Sequence, residues 1–433
     1  MKPAWEAAVV LAGTLLLAGF TASGGPPAVP VSAVRCWIDG DTAGTLAALE
    51  AAAPGRERDL NRAVVRLYAG EVARTEAELA ALRRREPRWT PAVRWLARAQ
   101  HQLGRPETID TVRALLGMDG ADGRDHLWAG GLFLDRGDLE RARVSFQRAV
   151  HDEDGLDVGW LGLAETEARL GHGNAAGEAG ERAGALRGSG PLFGAHVPVP
   201  FAPPHREGLR YRAKYFFFHL ATLTLDTGVP VLHAGKPAQR VVFTAKSNPG
   251  IFFFHIDSRF ESVIGEDGVV LAHRHIANDS DAGEEAAGYD MDREAARCTV
   301  RWVREGLFGH DVLPLPPNAQ DGISVVLLAR ALARTRGSVE VPTTADYTWK
   351  TTRLRTVGAE RIRWHGHEVQ TVRIQTTGGY RGPGGLSGAI DIWVSDDERT
   401  LPCKVKMKIA VGSVGLDLLP DEGTASQGRD ETP

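Results

Sequence analysis

The sequence predicts an α+β protein in two folded parts: an N-terminal array of α-helical repeats, then an antiparallel β half-barrel-like domain with one buried helix. Three observations carry this prediction. Gly70, Gly104, Gly137 and Gly171 stand 34, 33 and 34 residues apart in a stretch dominated by Ala, Leu, Arg and Glu. After Gly208 the apolar residues fall into alternation, the period of a strand with one wet face. Within that second part, only Ser324 and Arg330 interrupt the apolar residues from Ile323 to Ala333, so a helix there has almost no side to show to water and must be buried.

The bulk numbers agree with a folded chain. Its 433 residues suit two or three domains, and 43% hydrophobic with 24% charged residues is ordinary for globular protein. A formal net charge of −4 offers no electrostatic ground for a nucleic-acid or anionic-membrane partner. With Cys36, Cys298 and Cys403 as the only cysteines, a disulfide scaffold and a zinc-finger pattern are excluded. A Cys298–Cys403 bridge requires neighbouring strands; buried free thiols are the alternative.

Residues 1–23 read as a signal peptide. An apolar run from Ala7 to Phe20 follows Lys2, and Thr21-Ala22-Ser23 supplies small residues for cleavage. Export to the periplasm or cell envelope is the resulting expectation, with an uncleaved anchor as the alternative. Residues 24–40, opened by Gly and Pro, read as a spacer. Helical repeats are expected over 41–187. Aligning on the spaced glycines puts Ala63, Ala97, Gly130 and Ala164 in one column, where paired helices press together and only small side chains fit. The clearest unit runs from Asp125 to Asp154, with Gly130, Phe133, Gly137, Ala142, Phe146 and Ala149 at its small and large positions. These residues resemble tetratricopeptide repeats, one good copy and three degenerate ones. Such an array implies a surface for an envelope protein partner, or a scaffold that spaces or stabilises the next domain.

Residues 188–208 carry five prolines and read as an interdomain linker. The β domain is expected over 209–420. Tyr211–Asp226 suits one long strand or a bent pair, and Gln239–Lys246 a second strand. Ile251–Ile264 is ambiguous, while Gly268–Ile276 and Arg297–Arg304 read as strands on either side of the acidic stretch Asp279–Glu285. The central helix over Asn318–Gly337 has Pro314, Pro316 and Pro317 before it, Asn318 or Asp321 to cap it, and Gly337 to stop it. Tyr347–Thr356 and His367–Thr376 then bracket a turn near Val357-Gly358. Ala389–Val394 and Thr400–Ile409 form a hairpin in which Cys403, Val405, Met407 and Ile409 share one face and Lys404, Lys406 and Lys408 the other. Residues 421–433 are polar and expected to be disordered.

The helix segment Asp321–Ala333, the strands after it, and Trp393, Ser395, Asp397, Arg399 and Pro402 of the hairpin resemble the bacterial envelope domain-of-unknown-function family 3108, over roughly Gly208 to Leu419. The resemblance implies an exported antiparallel β domain with a helix against its sheet. It is similar in outline to the half-barrel of periplasmic lipoprotein carriers, a fold likeness that transfers no activity.

Candidates for chemistry are few. His273-Arg274-His275 and His365-Gly366-His367 are two H-x-H pairs in strand-like surroundings; together His273, His275, His365 and His367 could hold zinc, and hydrogen-bonded histidines on a wet face are the plain alternative. Ser324 near Asp321 lacks a nucleophile elbow and reads with Asp321 as a helix cap. Asp396, Asp397 and Glu398 read as a turn, and the Gly-rich segment Gly378–Gly388 as a loop without phosphate-loop spacing. The triplets Phe216–Phe218 and Phe252–Phe254 suit a core or an apolar groove. The resulting expectation is a non-enzymatic exported envelope protein whose repeats bind a protein partner. Its β domain would bind a lipid, glycan or other apolar or polymeric ligand, or act in assembly. The alternative is a metal-dependent hydrolase using the paired histidines.

Overall fold

The computed structural model describes residues 29–152, 157–187, 206–216, 218–250, 255–279, 283–345, 348–378, 389–408 and 413–420. The expected signal peptide 1–23, nearly all of the linker, the Phe252–Phe254 triplet, most of the Gly-rich loop and the tail 421–433 lie outside them.

Among the described residues ten helices form the array: α1 (Val31–Asp39), α2 (Thr42–Glu50), α3 (Arg56–Tyr68), α4 (Val72–Arg85), α5 (Thr90–Gln102), α6 (Thr108–Leu116), α7 (Gly123–Asp135), α8 (Leu139–Asp152), α9 (Asp157–Arg169) and α10 (Gly173–Arg187). The periodic glycines close one helix of each hairpin in the left-handed conformation, with φ of 87°, 65°, 75° and 83° at Gly70, Gly104, Gly137 and Gly171. A side chain there would be strained, which is why the period is written in glycine. In the small-residue column Ala63, Ala97 and Gly130 are buried and Ala164 half-buried. A Cβ on Gly130 would stand 2.8 Å from the Phe146 ring, so a methyl group there would force the α7–α8 pair apart.

Among the described residues the second part is one fourteen-stranded open sheet whose paired strands all run antiparallel. Its strands are β1 (Glu207–Tyr215), β2 (Phe218–His233), β3 (Lys236–Ser247), β4 (Asp257–Gly265), β5 (Val270–Asp279), β6 (Gly283–Asp292), β7 (Arg297–Arg304), β8 (Leu307–Pro314), β9 (Ser338–Ala345), β10 (Thr348–Trp364), β11 (His367–Gly378), β12 (Ile390–Ser395), β13 (Pro402–Lys408) and β14 (Ser413–Leu418). The spatial order is β8-β7-β6-β5-β4-β3-β2-β1-β14-β13-β12-β11-β10-β9. Two meanders therefore meet at β1–β14, and the chain passes from one edge of the sheet to the other through α11 (Ser324–Thr335).

Helix α11 is buried almost all round, as its composition demands. Ile323 and Leu327 join the core of the first meander, while Val325, Leu328, Ala329, Leu332 and Ala333 pack with β9–β14. Its buried cation, Arg330, pairs with Glu207 and donates to the Arg399 carbonyl. Gly337, with φ of 108°, follows the helix end as expected.

Several boundaries differ from the sequence expectation. The expected spacer 24–40 contains α1, whose Trp37 is 1% exposed and inserts between array and sheet. Trp37 Nε1 lies 3.3 Å from the carbonyl oxygens of both Trp302 and Gly309, and its ring stacks on Phe308 at 5.5 Å. Asn61 of α3 treats the edge strand β8 as a pairing partner: its Nδ2 donates to Gly306 O at 2.7 Å and its Oδ1 accepts from Phe308 N at 2.9 Å. The helices thus cover an edge that would otherwise invite another strand. Of the two readings of Tyr211–Asp226 the pair holds, β1 and β2 running antiparallel as a hairpin. Strand β10 runs on through Val357-Gly358 as a bulge, and its turn is at His365-Gly366.

Candidate functional site

Beneath the first turn of α11 lies an apolar cavity of about 160 Å³. Gly322, Ile323, Val325 and Val326 form its roof. One wall comes from β1–β3 through Ala213, Leu223, Leu225, Phe243 and Ala245. The opposite wall comes from β11–β14 through Thr376, Ile390, Ile392, Val405, Met407, Val414 and Leu416. Alternation makes this possible: Val405 and Met407 turn inward while Lys404, Lys406 and Lys408 face out, as the hairpin pattern predicts. Thr376 is the one polar side chain in the described lining. It is 0% exposed, and its Oγ1 has no hydrogen-bond partner among the described residues.

The roof is fixed by a buried polar knot. Asp321 Oδ1 accepts from Ile323 N at 2.9 Å and Ser324 N at 2.8 Å, and Ser324 Oγ accepts from Asp321 N at 2.9 Å. This reciprocal cap is what the D-x-x-S spacing predicts. The other carboxylate oxygen reaches across to the sheet, accepting from Ser262 Oγ on β4 at 2.6 Å. His273 Nδ1 on β5 lies 3.2 Å from Asp321 Oδ2 and 3.3 Å from Ser262 Oγ. Facing a carboxylate that only accepts, Nδ1 carries the proton. Burial alone would raise the Asp321 carboxyl, but the His273 ring and the hydrogen bonds from His273, Ser262 and Ser324 hold it below the ordinary carboxylate value. Ser262 gives its proton to Asp321 and meets the same ring nitrogen that Asp321 does. A nucleophile needs the base on one side and the orienting carboxylate on the other, so this Ser–His–Asp cluster is an anchor and not a relay.

A second anchor holds the approach to the helix. The Arg293 guanidinium donates to the carbonyls of Val270, Pro316, Pro317 and Ala319 at 2.7, 3.0, 2.8 and 3.1 Å. Burial pulls Arg293 down to about 10. Gln320 then pairs with the edge strand β9, its N–H donating to Pro342 O at 2.8 Å and its carbonyl accepting from Thr344 N at 3.1 Å.

The two histidine pairs are placed differently. His273 and His275 do share one face of β5, their ring centroids 5.8 Å apart, between Phe260 and Tyr289. Burial pushes His275 down to about 3, and His273 beside it adds to the shift. His365 is not on a strand: with Gly366 it forms the β10–β11 turn, with φ of 47° and 86°, and its Nε2 lies 2.7 Å from Leu418 O. The same-face argument for His365 and His367 therefore fails, because a turn separates them. Among the described residues, no group of three or more His, Cys, Asp or Glu side chains is arranged to hold a metal ion.

The remaining candidates have structural partners. Asp397 Oδ1 accepts from Ser395 Oγ, Arg399 N and Thr400 N, closing the hairpin turn, and Asp396 pairs with Arg336 at the end of α11. The three cysteines are free thiols; Cys298 on β7 and Cys403 on β13 are not neighbours, and burial raises them to about 12 and about 11. Sequence reasoning missed Ser262, Arg293 and Thr376. Nothing local marks a serine or threonine in a strand as different from its neighbours; only the cross-strand register does.

Residues 210–419 match the model of the family DUF3108, described as a protein of unknown function. Among solved structures, the chain is similar to MamA from Desulfovibrio magneticus RS-1, residues 41 to the end, at 16% identity over 36% of this chain and 90% of that one, with a TM-score of 0.32. A second MamA structure, MSR-1 in form C2, aligns at 14% identity over 36% of this chain and 91% of that one, with a TM-score of 0.31. No curated protein matches the chain. The tetratricopeptide-like character of the array rests on its own spaced, left-handed glycines.

Proposed function

We propose that the β domain binds the apolar part of a small ligand in the cavity beneath α11, and that the helical array presents this domain to a protein partner in the cell envelope. The cavity is the observation that supports the reading. Engineered cavities of about 150 Å³ lined by aliphatic and aromatic side chains stay dry and take up benzene-sized molecules. At about 160 Å³, with Thr376 as its one polar side chain among the described residues, this cavity has the size and lining for a short hydrocarbon segment. The array contributes exposed apolar side chains at Val144, Val158 and Leu161, on α8 and α9, helices that do not form the docked face. The envelope part of the proposal draws on the apolar N-terminal run.

The test is binding of hexane to the purified full chain, followed by NMR, with Ala245→Leu as the blocked variant. Ala245 is 1% exposed and lines the cavity wall, so three added methyl-sized groups occupy the ligand's space. Hexane should bind the unsubstituted chain and bind Ala245→Leu at least about tenfold more weakly, while the variant melts within a few degrees of the parent. Equal binding by both would place the ligand elsewhere and end the proposal.

A further inference from the structure

We propose that Thr376 selects the ligand, and that the ligand is an apolar chain carrying a neutral hydrogen-bonding oxygen, an alcohol or an ester, in preference to a plain hydrocarbon or a carboxylate. This deepens the cavity reading above and rests on it. Thr376 sits in an otherwise aliphatic patch: Ile374 precedes it on the same face of β11, and Ile390 and Ile392 line the neighbouring strand. A valine would have the same shape and would leave no buried hydroxyl without a partner. Buried polar groups are almost always hydrogen-bonded, and an exception in a native wall calls for a cause.

The exception is doubled. Thr352 on β10 is also 0% exposed, and its Oγ1 has no partner among the described residues. The register pairs Leu354 with Thr376 and Thr352 with Gly378, so both threonines point to the α11 side of the sheet, one diagonal step apart. Diagonal neighbours of this kind lie about 7–8 Å apart. Of the two, Thr376 is the one in the described cavity lining, and its hydroxyl has no partner among the described residues.

The polarity of the ligand is set by the groups around these hydroxyls. A hydroxyl both donates and accepts, so it serves an alcohol or an ester carbonyl equally well. No Lys or Arg lines the described cavity, and a carboxylate buried without a cation or several donors is strongly disfavoured. The oxygen that meets Thr376 is thus uncharged, and the chain attached to it runs along Leu223, Phe243 and Ala245.

The experiment compares 1-hexanol and hexane as probes on the full chain, Thr376→Val and Thr376→Ser. The expected result is that Thr376→Val binds 1-hexanol about 3- to 10-fold more weakly, the range of one net hydrogen bond, and hexane as well as or better than the parent. Thr376→Ser, which keeps the hydroxyl, should retain the alcohol affinity. Thr376→Val should also melt no lower than the parent; a lower melting temperature would reveal a structural partner for the hydroxyl and overturn the proposal. Hexane binding with no change in the hexanol affinity of Thr376→Val overturns the role of Thr376 and leaves the cavity reading intact. Failure of both probes to bind the parent overturns both.

Discussion

Replacing Asp321 with alanine tests whether the buried anchor holds the roof of the cavity. The carboxylate accepts from Ile323 N, Ser324 N, Ser262 Oγ and the His273 ring, and it is 0% exposed. Loss of the cap alone costs about 1 kcal/mol. Leaving Ser262 Oγ and His273 Nδ1 buried without their acceptor adds about 1–3 kcal/mol, the range for buried hydrogen-bonding groups left unsatisfied. Some of this is returned, since the carboxylate no longer has to be desolvated. Asp321→Asn keeps the cap acceptor and should lose only about 1–2 kcal/mol. Urea unfolding of the full chain followed by tryptophan fluorescence reads both numbers. The pH dependence has a definite sign. The folded Asp321 carboxyl is held below its ordinary value, so its contribution is present above about pH 4 and is lost as pH falls through the folded value. Both variants should therefore show a shallower loss of stability on acidification. A destabilisation by Asp321→Ala below about 1 kcal/mol, with an unchanged acid limb, would refute the anchor.

Two further perturbations separate the remaining parts of the molecule. Trp37→Ala should cost about 3–5 kcal/mol and free the array from the sheet, because it empties the space against Phe308 and removes the indole N–H that lies against the Trp302 and Gly309 carbonyls; limited proteolysis that releases no separate β fragment from this variant would contradict the shared core. His275→Phe should flatten the stability profile between about pH 6.5 and pH 3: burial holds the folded imidazole at about 3 while the unfolded one titrates near 6.5. In that window the unfolded chain binds the extra proton, so stability of the parent falls with falling pH by at most about 1.4 kcal/mol per unit, and an unchanged slope in the variant would show that another group is responsible.

What was legible in the sequence is what local physics decides. The left-handed glycines, the all-round apolar helix and its Asp321–Ser324 cap each depend on residues within a few positions, and each is where the sequence places it. The strand β6, Gly283–Asp292, was not legible because its composition answers to a neighbour. Gly288 would put a Cβ 2.0 Å from the Ile38 carbonyl oxygen, and Ala286 and Ala287 are buried beside it, so α1 lies almost directly on the strand. Small residues there suit close packing at the expense of strand propensity. The spacer reading of residues 24–40 fails for the same reason from the other side: α1 is too short to stand alone and is stable because Trp37 has a sheet to enter. The histidines mislead because residues two apart in sequence share a face only when both lie on a strand. His365 lies in a turn with positive φ, where that rule does not apply.

The topology gives the cavity its meaning. The first meander, β1–β8, and the second, β9–β14, are hydrogen-bonded to each other at β1–β14, and the chain crosses between their far edges through α11. The start of that helix is tied to the first meander by Ser262 and His273, and its approach is held by Arg293 from the β6–β7 turn. Its body packs on the second meander through Leu328, Ala329 and Leu332. The cavity lies at the seam, with walls from β1–β3 on one side and β11–β14 on the other. A molecule seated there touches both meanders and the helix that clasps them, so its binding free energy would add directly to the closure of the sheet around α11. On the proposed reading, the Asp321 anchor and the Thr376 hydroxyl have complementary roles: the first sets where the roof sits, and the second would set which chain is held beneath it.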